Sequence, residues 1–136
     1  MMKDAITIRY FDKEKDYGDV CAWWRGHSWP EIPMDHLSEI GLIAECGGKK
    51  QAAVWLYLLT PVFAAMEFLV TNPEAGAREC VRAIHETVEH AKALSHDLGF
   101  KTVWTSLKHE KLARLFGEHG FQATDSGVTH FIARIN

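Results

Sequence analysis

FLVTNPEAGARECVRAI, residues 68–84, reads as a strand running through a turn into a helix. Phe68-Leu69-Val70 is the apolar end of a strand, Asn72-Pro73 breaks it, and a helical pattern begins near Ala77. Strand, turn and helix N-terminus is the arrangement that holds a phosphate, because the first amides of a helix point outward and carry the positive end of its dipole. The turn has one glycine, Gly76, where phosphate loops usually carry two or three. It is therefore either an altered anion site or a plain corner of the chain.

Outward from this stretch the elements alternate. Ile6 to Tyr10 alternates apolar and polar residues as a half-buried strand does. A helix is predicted over Lys15–Trp24, with Tyr17, Val20, Cys21 and Trp24 at helical spacing. A loop broken by Pro30 and Pro33 follows, then a short helix near Met34–Glu39. Gly41–Glu45 and Gln51–Leu59 read as a hairpin around Gly47-Gly48-Lys49-Lys50, and Ala64–Val70 as the next strand. From Ala77 to Leu98, Val81, Ile84, Val88, Ala91, Leu94 and Leu98 recur every three or four residues, and Gly99 stands at the C-cap. Lys101–Leu107 reads as a strand, His109–His119 as a short helix ended by Gly120, and Gln122–Thr124 and Val128–Ile135 as closing strands. The order predicts an α/β domain, a mixed sheet flanked by helices.

The 136 residues suit one domain, 1–136, with a core of its own. A formal charge of −3 leaves no basic footprint, which argues against nucleic acid as a partner. No apolar run approaches the roughly 20 residues that span a bilayer, so no membrane partner is expected. MMKDAITIRY lacks the apolar core of a signal peptide, and the cysteines Cys21, Cys46 and Cys80 form no CxxC pair. Free thiols in a reducing cytoplasm are the expectation.

The element order, with two segments, resembles the GCN5-related N-acetyltransferase (GNAT) superfamily. The resemblance spans nearly the whole chain, and its motifs are partial. Val70-Thr71-Asn72-Pro73 matches the end of that family's fourth strand. The loop that follows in the family, Q/R-x-x-G-x-G/A, falls on Gly76 to Val81, with Gly76 at the Q/R position and Glu79 and Val81 at the two glycine positions. Leu112-Ala113-Arg114-Leu115-Phe116-Gly117-Glu118-His119-Gly120-Phe121 resembles the family's A-x-x-x-Y-x-x-x-G-F segment. The W-W-R-x-H-x-W-P stretch from Trp23 and the N-P-E-A turn from Asn72 are also similar to small phage-encoded, acetyltransferase-like proteins.

The resemblance implies a GNAT-like (acyl-CoA N-acyltransferase) fold with a mixed, mostly antiparallel sheet, acetyl-CoA as co-substrate, and a small-molecule or peptide amine as acceptor. It implies a carbonyl-polarising backbone amide at Leu69 or Val70. The diphosphate would be held by the turn at Gly76 and Ala77 with Arg78 and Arg82. Those arginines, four residues apart, share one helix face, and a solvated basic face explains them equally well. Val81 would crowd a diphosphate, and Glu79 would repel it. Glu67 is the base expected from the resemblance; among Ala65, Met66, Phe68 and Leu69 its pKa would be raised by desolvation. Its alternative is a solvent-facing carboxylate.

Phe116 stands at the position of the family's proton-donating tyrosine and cannot donate. Thr105 or Ser106 can replace it as acid, or simply cap the following turn. Trp23, Arg25 and Trp29 lie where the family's acceptor side is lined and suit an apolar or cation-binding wall. Metal is not expected: His85 and His90 of HETVEH are five residues apart, about 140° around a helix, and cannot share one ion.

Two functions follow. One is an N-acyltransferase moving an acetyl group from acetyl-CoA to an amine. The alternative is a catalytically silent GNAT-like fold acting as a binding, regulatory or phage structural module. Open sheet edges would suit a homodimer in either case.

Overall fold

The computed structural model describes residues 5–135. The first four residues of the opening stretch, read above as carrying no signal peptide, lie outside that range. The chain forms two compact units, one ending at Ser106 and the other beginning at Leu107.

The first unit is built on a five-stranded sheet in the order β1 (Ile6–Tyr10), β2 (Ile40–Cys46), β3 (Lys49–Thr60), β4 (Phe63–Thr71), β5 (Thr102–Trp104). The first four strands pair antiparallel, and β5 joins β4 in parallel. The sheet is mixed and mostly antiparallel, as expected. Helix α1 (Lys13–Gly26) packs on one face and α2 (Ala77–Asp97) on the other, where α2 crosses β1 to β4. The helix expected near Met34–Glu39 is a single 3-10 turn, Met34–His36.

Strand β3 shows why the sheet is buried on both sides. Its residues 52 to 56 are all apolar and closed to solvent. Alternation sends Ala52 to Ala44 and to Ala83 of α2, while Ala53 and Trp55 join Val20, Trp24, Ile43 and Val70 beneath α1. Gly41 is the price of placing Trp55 there: a Cβ at Gly41 would sit 2.6 Å from the indole. The buried stripe of α2 is Ala83, Ile84, Thr87, Val88, Ala91 and Ser95, whereas Val81 and Leu98 are exposed. Thr87 and Ser95 fit because their hydroxyls donate to the carbonyls of Ala83 and Ala91, both at 2.6 Å.

A buried carboxylate fixes α1 to the sheet. The Asp16 side chain is closed to solvent and accepts two bonds from the Arg9 guanidinium at 2.8 Å, one from Lys50 at 2.8 Å, and one from the Asp12 amide at 2.8 Å. Arg9 also pairs with Glu45, and Lys50 with Asp19. The clamp joins β1, β2, β3 and the first turn of α1, which Asp12 caps by accepting from the Glu14 and Lys15 amides. Although burial opposes ionisation, the bonds from Arg9, Lys50 and the Asp12 amide hold the Asp16 carboxyl well below the usual carboxylate range.

The second unit contains α3 (Glu110–Glu118), with Leu115 and Phe116 buried and the Phe121 ring 5.1 Å from that of Phe116. Gly120, at φ 86°, ends the helix, and the Phe121 amide returns to the Phe116 carbonyl at 3.1 Å. The expected strands Gln122–Thr124 and Val128–Ile135 do not form; residues 121–135 carry no regular element. Their alternation is strand-like, but a strand exists only through a ladder partner, and this unit holds no strand to pair with.

Asp16→Asn should destabilise the protein by about 2–3 kcal/mol at neutral pH, because Arg9 and Lys50 lose their common anion. A carboxyl whose folded pKa is depressed stabilises above its unfolded pKa, and that contribution fades as pH falls below it. The gap between variant and parent in denaturant midpoints should therefore narrow below about pH 4.

Candidate active site

The turn after β4 is held mainly by side chains. The Asn72 amide donates to Gln51 O at 2.8 Å, and its Nδ2 to Lys50 O at 3.0 Å. Its Oδ1 accepts from the Glu74 amide at 2.9 Å. Pro73 packs against the end of α1, where a Cβ on Gly26 would come within 2.6 Å of its Cγ. His27 reaches the Thr71 carbonyl through Nε2 at 2.8 Å and stacks on Trp29 at 4.5 Å. Gly76 is the N-cap of α2, with no side chain capping the first amides. A Cβ there would meet nothing nearer than Glu79 Cδ at 4.0 Å. Arg78 is exposed and Arg82 half-buried on the first turns of the helix.

Inside β4 the backbone leaves the ladder. Glu67 pairs with Trp55, and the next pair is Val70 with Ala53, so Phe68 and Leu69 together oppose Val54. This is a β-bulge, and Phe68 adopts φ 61°, a left-handed conformation rare and strained for a large side chain. The Asn72 amide bonds β3. By ladder alternation the amide of Val70 also faces β3. Val70's side chain is core.

On the other edge β4 and β5 separate. The parallel ladder runs only from Phe63–Thr102 to Ala65–Trp104, shorter than the strand expected over Lys101–Leu107. Beyond it two side chains bridge the strands. Thr105 Oγ1 donates to Met66 O at 2.5 Å, and the Ser106 amide donates to Glu67 Oε1 at 3.1 Å. Burial pushes the Glu67 carboxyl above the usual range, and the Ser106 amide pulls partway back. The Ser106 hydroxyl oxygen is buried without a hydrogen-bond partner. Glu67 and Ser106 thus meet where β4 and β5 separate, and the Thr105 hydroxyl is already engaged.

The tryptophan wall needs correction. Trp23 is 5% exposed and belongs to the core beneath α1, so it lines no surface. Arg25 forms an ion pair with Glu31, and Trp29 is partly exposed against His27. Sequence reasoning missed the bulge at Phe68, the His27–Thr71 bond and the Asn72 anchor. Only Asn72-Pro73 carried a signal, as a turn dipeptide. Among the described residues no group of His, Cys, Asp and Glu could hold a metal ion, and no helix is long and apolar enough to cross a membrane.

Gly26→Ala should cost about 1–3 kcal/mol, since the methyl meets a stiff proline ring in a packed contact. Thermal or urea unfolding would measure it, and Gly18→Ala, whose Cβ meets nothing within 4 Å, should not lose stability this way.

No family model and no curated protein matches the sequence. Solved structures do resemble the fold. The ribosomal-protein-S18-alanine N-acetyltransferase of Escherichia coli aligns with a TM-score of 0.73 at 15% identity, over 89% of this chain and 80% of that one. The Mycobacterium tuberculosis protein Rv2747, in complex with CoA and NLQ, gives 0.70 at 16% identity, over 90% and 76%. A GNAT-family acetyltransferase from Streptococcus pneumoniae TIGR4 gives 0.66 at 15% identity, over 97% and 98%. With a mixed five-stranded sheet that opens between β4 and β5, the chain has the fold of the GCN5-related N-acetyltransferases.

Proposed function

We propose that this protein is an N-acetyltransferase that moves an acetyl group from acetyl-CoA to a primary amine. The observation that carries the reading is the separation of β4 and β5 beyond Trp104, where the buried Glu67 carboxylate accepts from the Ser106 amide just ahead of the bulge at Phe68. The likeness to acetyltransferase structures supports it.

The residues at the opening fit the ligand in part. The amides at Gly76 and Ala77, with Arg78 and Arg82, would hold the diphosphate, and the separated strands would admit the pantetheine arm. Glu79 opposes this fit, its carboxyl lying over the same helix end. Bound acetyl-CoA would supply an activated acetyl thioester. The Leu69 amide would donate to a carbonyl oxygen lodged in the opening, a fixed dipole where charge develops. Glu67, ionised, would take the proton of the incoming ammonium. The Ser106 hydroxyl, buried and unpartnered, is the donor this chain offers a leaving group in place of the tyrosine absent at Phe116.

Glu67→Gln should lower kcat about a hundredfold or more while leaving acetyl-CoA affinity nearly unchanged. The parent's acid limb in kcat should lie above 4.5, the ordinary value for this carboxyl, because burial favours its protonated form. Full activity in that variant would remove Glu67 as base.

Calorimetric titration tests the cofactor. Arg78→Ala/Arg82→Ala should weaken acetyl-CoA binding at least tenfold, about 1.4 kcal/mol. Glu79→Gln should strengthen it about threefold by removing a like charge in aqueous surroundings. No binding by the parent at millimolar acetyl-CoA would end the transferase reading.

A further inference from the structure

Among the described residues the sheet has two edges, and they are unlike. β5 is a short edge of 3 residues, whereas β1 runs 5 residues without proline, glycine or bulge. Edge strands usually carry a device against pairing, such as a charge held out along the edge. The one charge of β1, Arg9, is turned back instead, bonded to Asp16 and Glu45 on the α1 face. The backbone of that edge is open. The Phe11 amide donates to the Gly41 carbonyl at 2.8 Å, and the register is regular from there back to Ile6. The odd-numbered residues therefore bond β2, and the amides and carbonyls of Ile6, Ile8 and Tyr10 point away from it. The Tyr10 carbonyl accepts from Arg9 Nη1 at 3.1 Å and keeps a second lone pair.

The same three residues put their side chains on the α2 face. Ile6 and Ile8 pack against the cluster of Ala44, Ala52 and Ala83, and Tyr10 is 62% exposed. Beside them, between β1 and the last turns of α2, runs an open groove of about 300 Å³. Ile8, Tyr10 and Leu42 line it from the sheet, and Ala93 and Leu94 from the helix. An unguarded strand edge that continues into an apolar groove is shaped for another strand with apolar residues on one face.

β1 is itself such a strand. In an antiparallel pair of two copies the outward-pointing residues face one another. Arg9 against Arg9 would oppose like charges, and Thr7 against Thr7 would pair only residues 6–8 of each strand. Ile8 against Ile8 pairs the whole of β1, with Ile6 against Tyr10 on the α2 face and Thr7 against Arg9 on the α1 face. No like charges meet in that register.

We propose that two copies of this chain join through β1, antiparallel about a twofold axis at Ile8, into one continuous sheet. Each outward-facing pair exchanges two backbone bonds. Ile6 and Ile8 of the second copy lie over the groove mouth beside Tyr10 and Ile8 of the first. The inference does not rest on the acetyl-transfer reading, because β4 and β5 lie at the other end of the sheet.

Sedimentation equilibrium of the full chain from about 1 to 300 µM tests it, since so short a strand pair makes a small interface of micromolar strength. The parent should be dimeric at the upper end. Thr7→Lys sets a cation against Arg9 of the second copy while facing Glu45 in its own chain, and should weaken association at least tenfold. Tyr10→Lys, at an exposed position, should do the same, and circular dichroism should show both variants folded. Ile8→Cys should link the two copies through position 8 on mild oxidation, because such paired Cα atoms stand about 5.5 Å apart. Tyr10→Cys should not link to itself; mass mapping separates these links from any through Cys21, Cys46 or Cys80. In the parent, exchange of the Ile8 and Tyr10 amides should slow as concentration rises.

A parent that stays monomeric at the highest concentration would overturn the proposal, as would amide exchange independent of concentration. A dimer indifferent to Thr7→Lys and Tyr10→Lys would place the join on another surface. Self-linking at position 10 in place of position 8 would overturn the register and the twofold with it.

Discussion

A strand can serve a neighbour on each edge only while its backbone alternates. At Phe68 β4 stops alternating: two residues stand against Val54, one of them at φ 61°, and the strand, which leaves β5 after Ala65, keeps β3 on the far side of the bulge. Everything proposed for this site depends on that bulge. It sets the Phe68 ring against Tyr57, next to Glu67, which its pairing with Trp55 places on the α1 face. Holding a large residue in the left-handed region costs of order 1–3 kcal/mol. Such strain persists only where the surroundings over-determine it, and here Val70 in the core and Asn72 tied to β3 hold the strand just past the bulge.

The turn into α2 is fixed by other means. A phosphate loop normally reaches its ligand because glycines let the backbone approach. This chain has a single glycine there, at the N-cap, and builds the rest from packing: Asn72 on β3, Pro73 on Gly26, His27 on Thr71. The turn is therefore rigid without being glycine-rich. Glu79, near the outward amides of the first turn, already favours the helix dipole that an anion would otherwise satisfy. If acetyl-CoA is the ligand as proposed, affinity for its diphosphate is set by Arg78 and Arg82 against Glu79.

The pattern of the sequence carried the architecture and not the site. The alternation in Ile6–Tyr10, the doubly apolar run of β3 and the long helical stripe after Ala77 each follow from burial, which periodicity reports. The stripe was slightly misplaced: Thr87 and Ser95 are inside, where hydroxyls bonded to carbonyls four residues back are tolerated, and Val81 and Leu98 are outside. Trp23 went to the core because its side of α1 also faces the sheet, which two adjacent tryptophans do not reveal. Nothing in Glu67-Phe68-Leu69 signals a bulge, since no glycine or asparagine marks the positive φ. Residues 128–135 show the opposite failure, an alternation that finds no ladder.

Part of the aromatic wall expected after Val20 is spent in the core. Tryptophans clustered after Val20 invite attention, yet Trp23 and Trp24 are consumed in joining α1 to the sheet. The aromatic residues that remain at the opening come from three strands, Tyr57, Phe68 and Trp104, far apart in the chain and brought together only by register and by the bulge. Such a grouping is a property of pairing across strands, and it becomes visible only once the register is known.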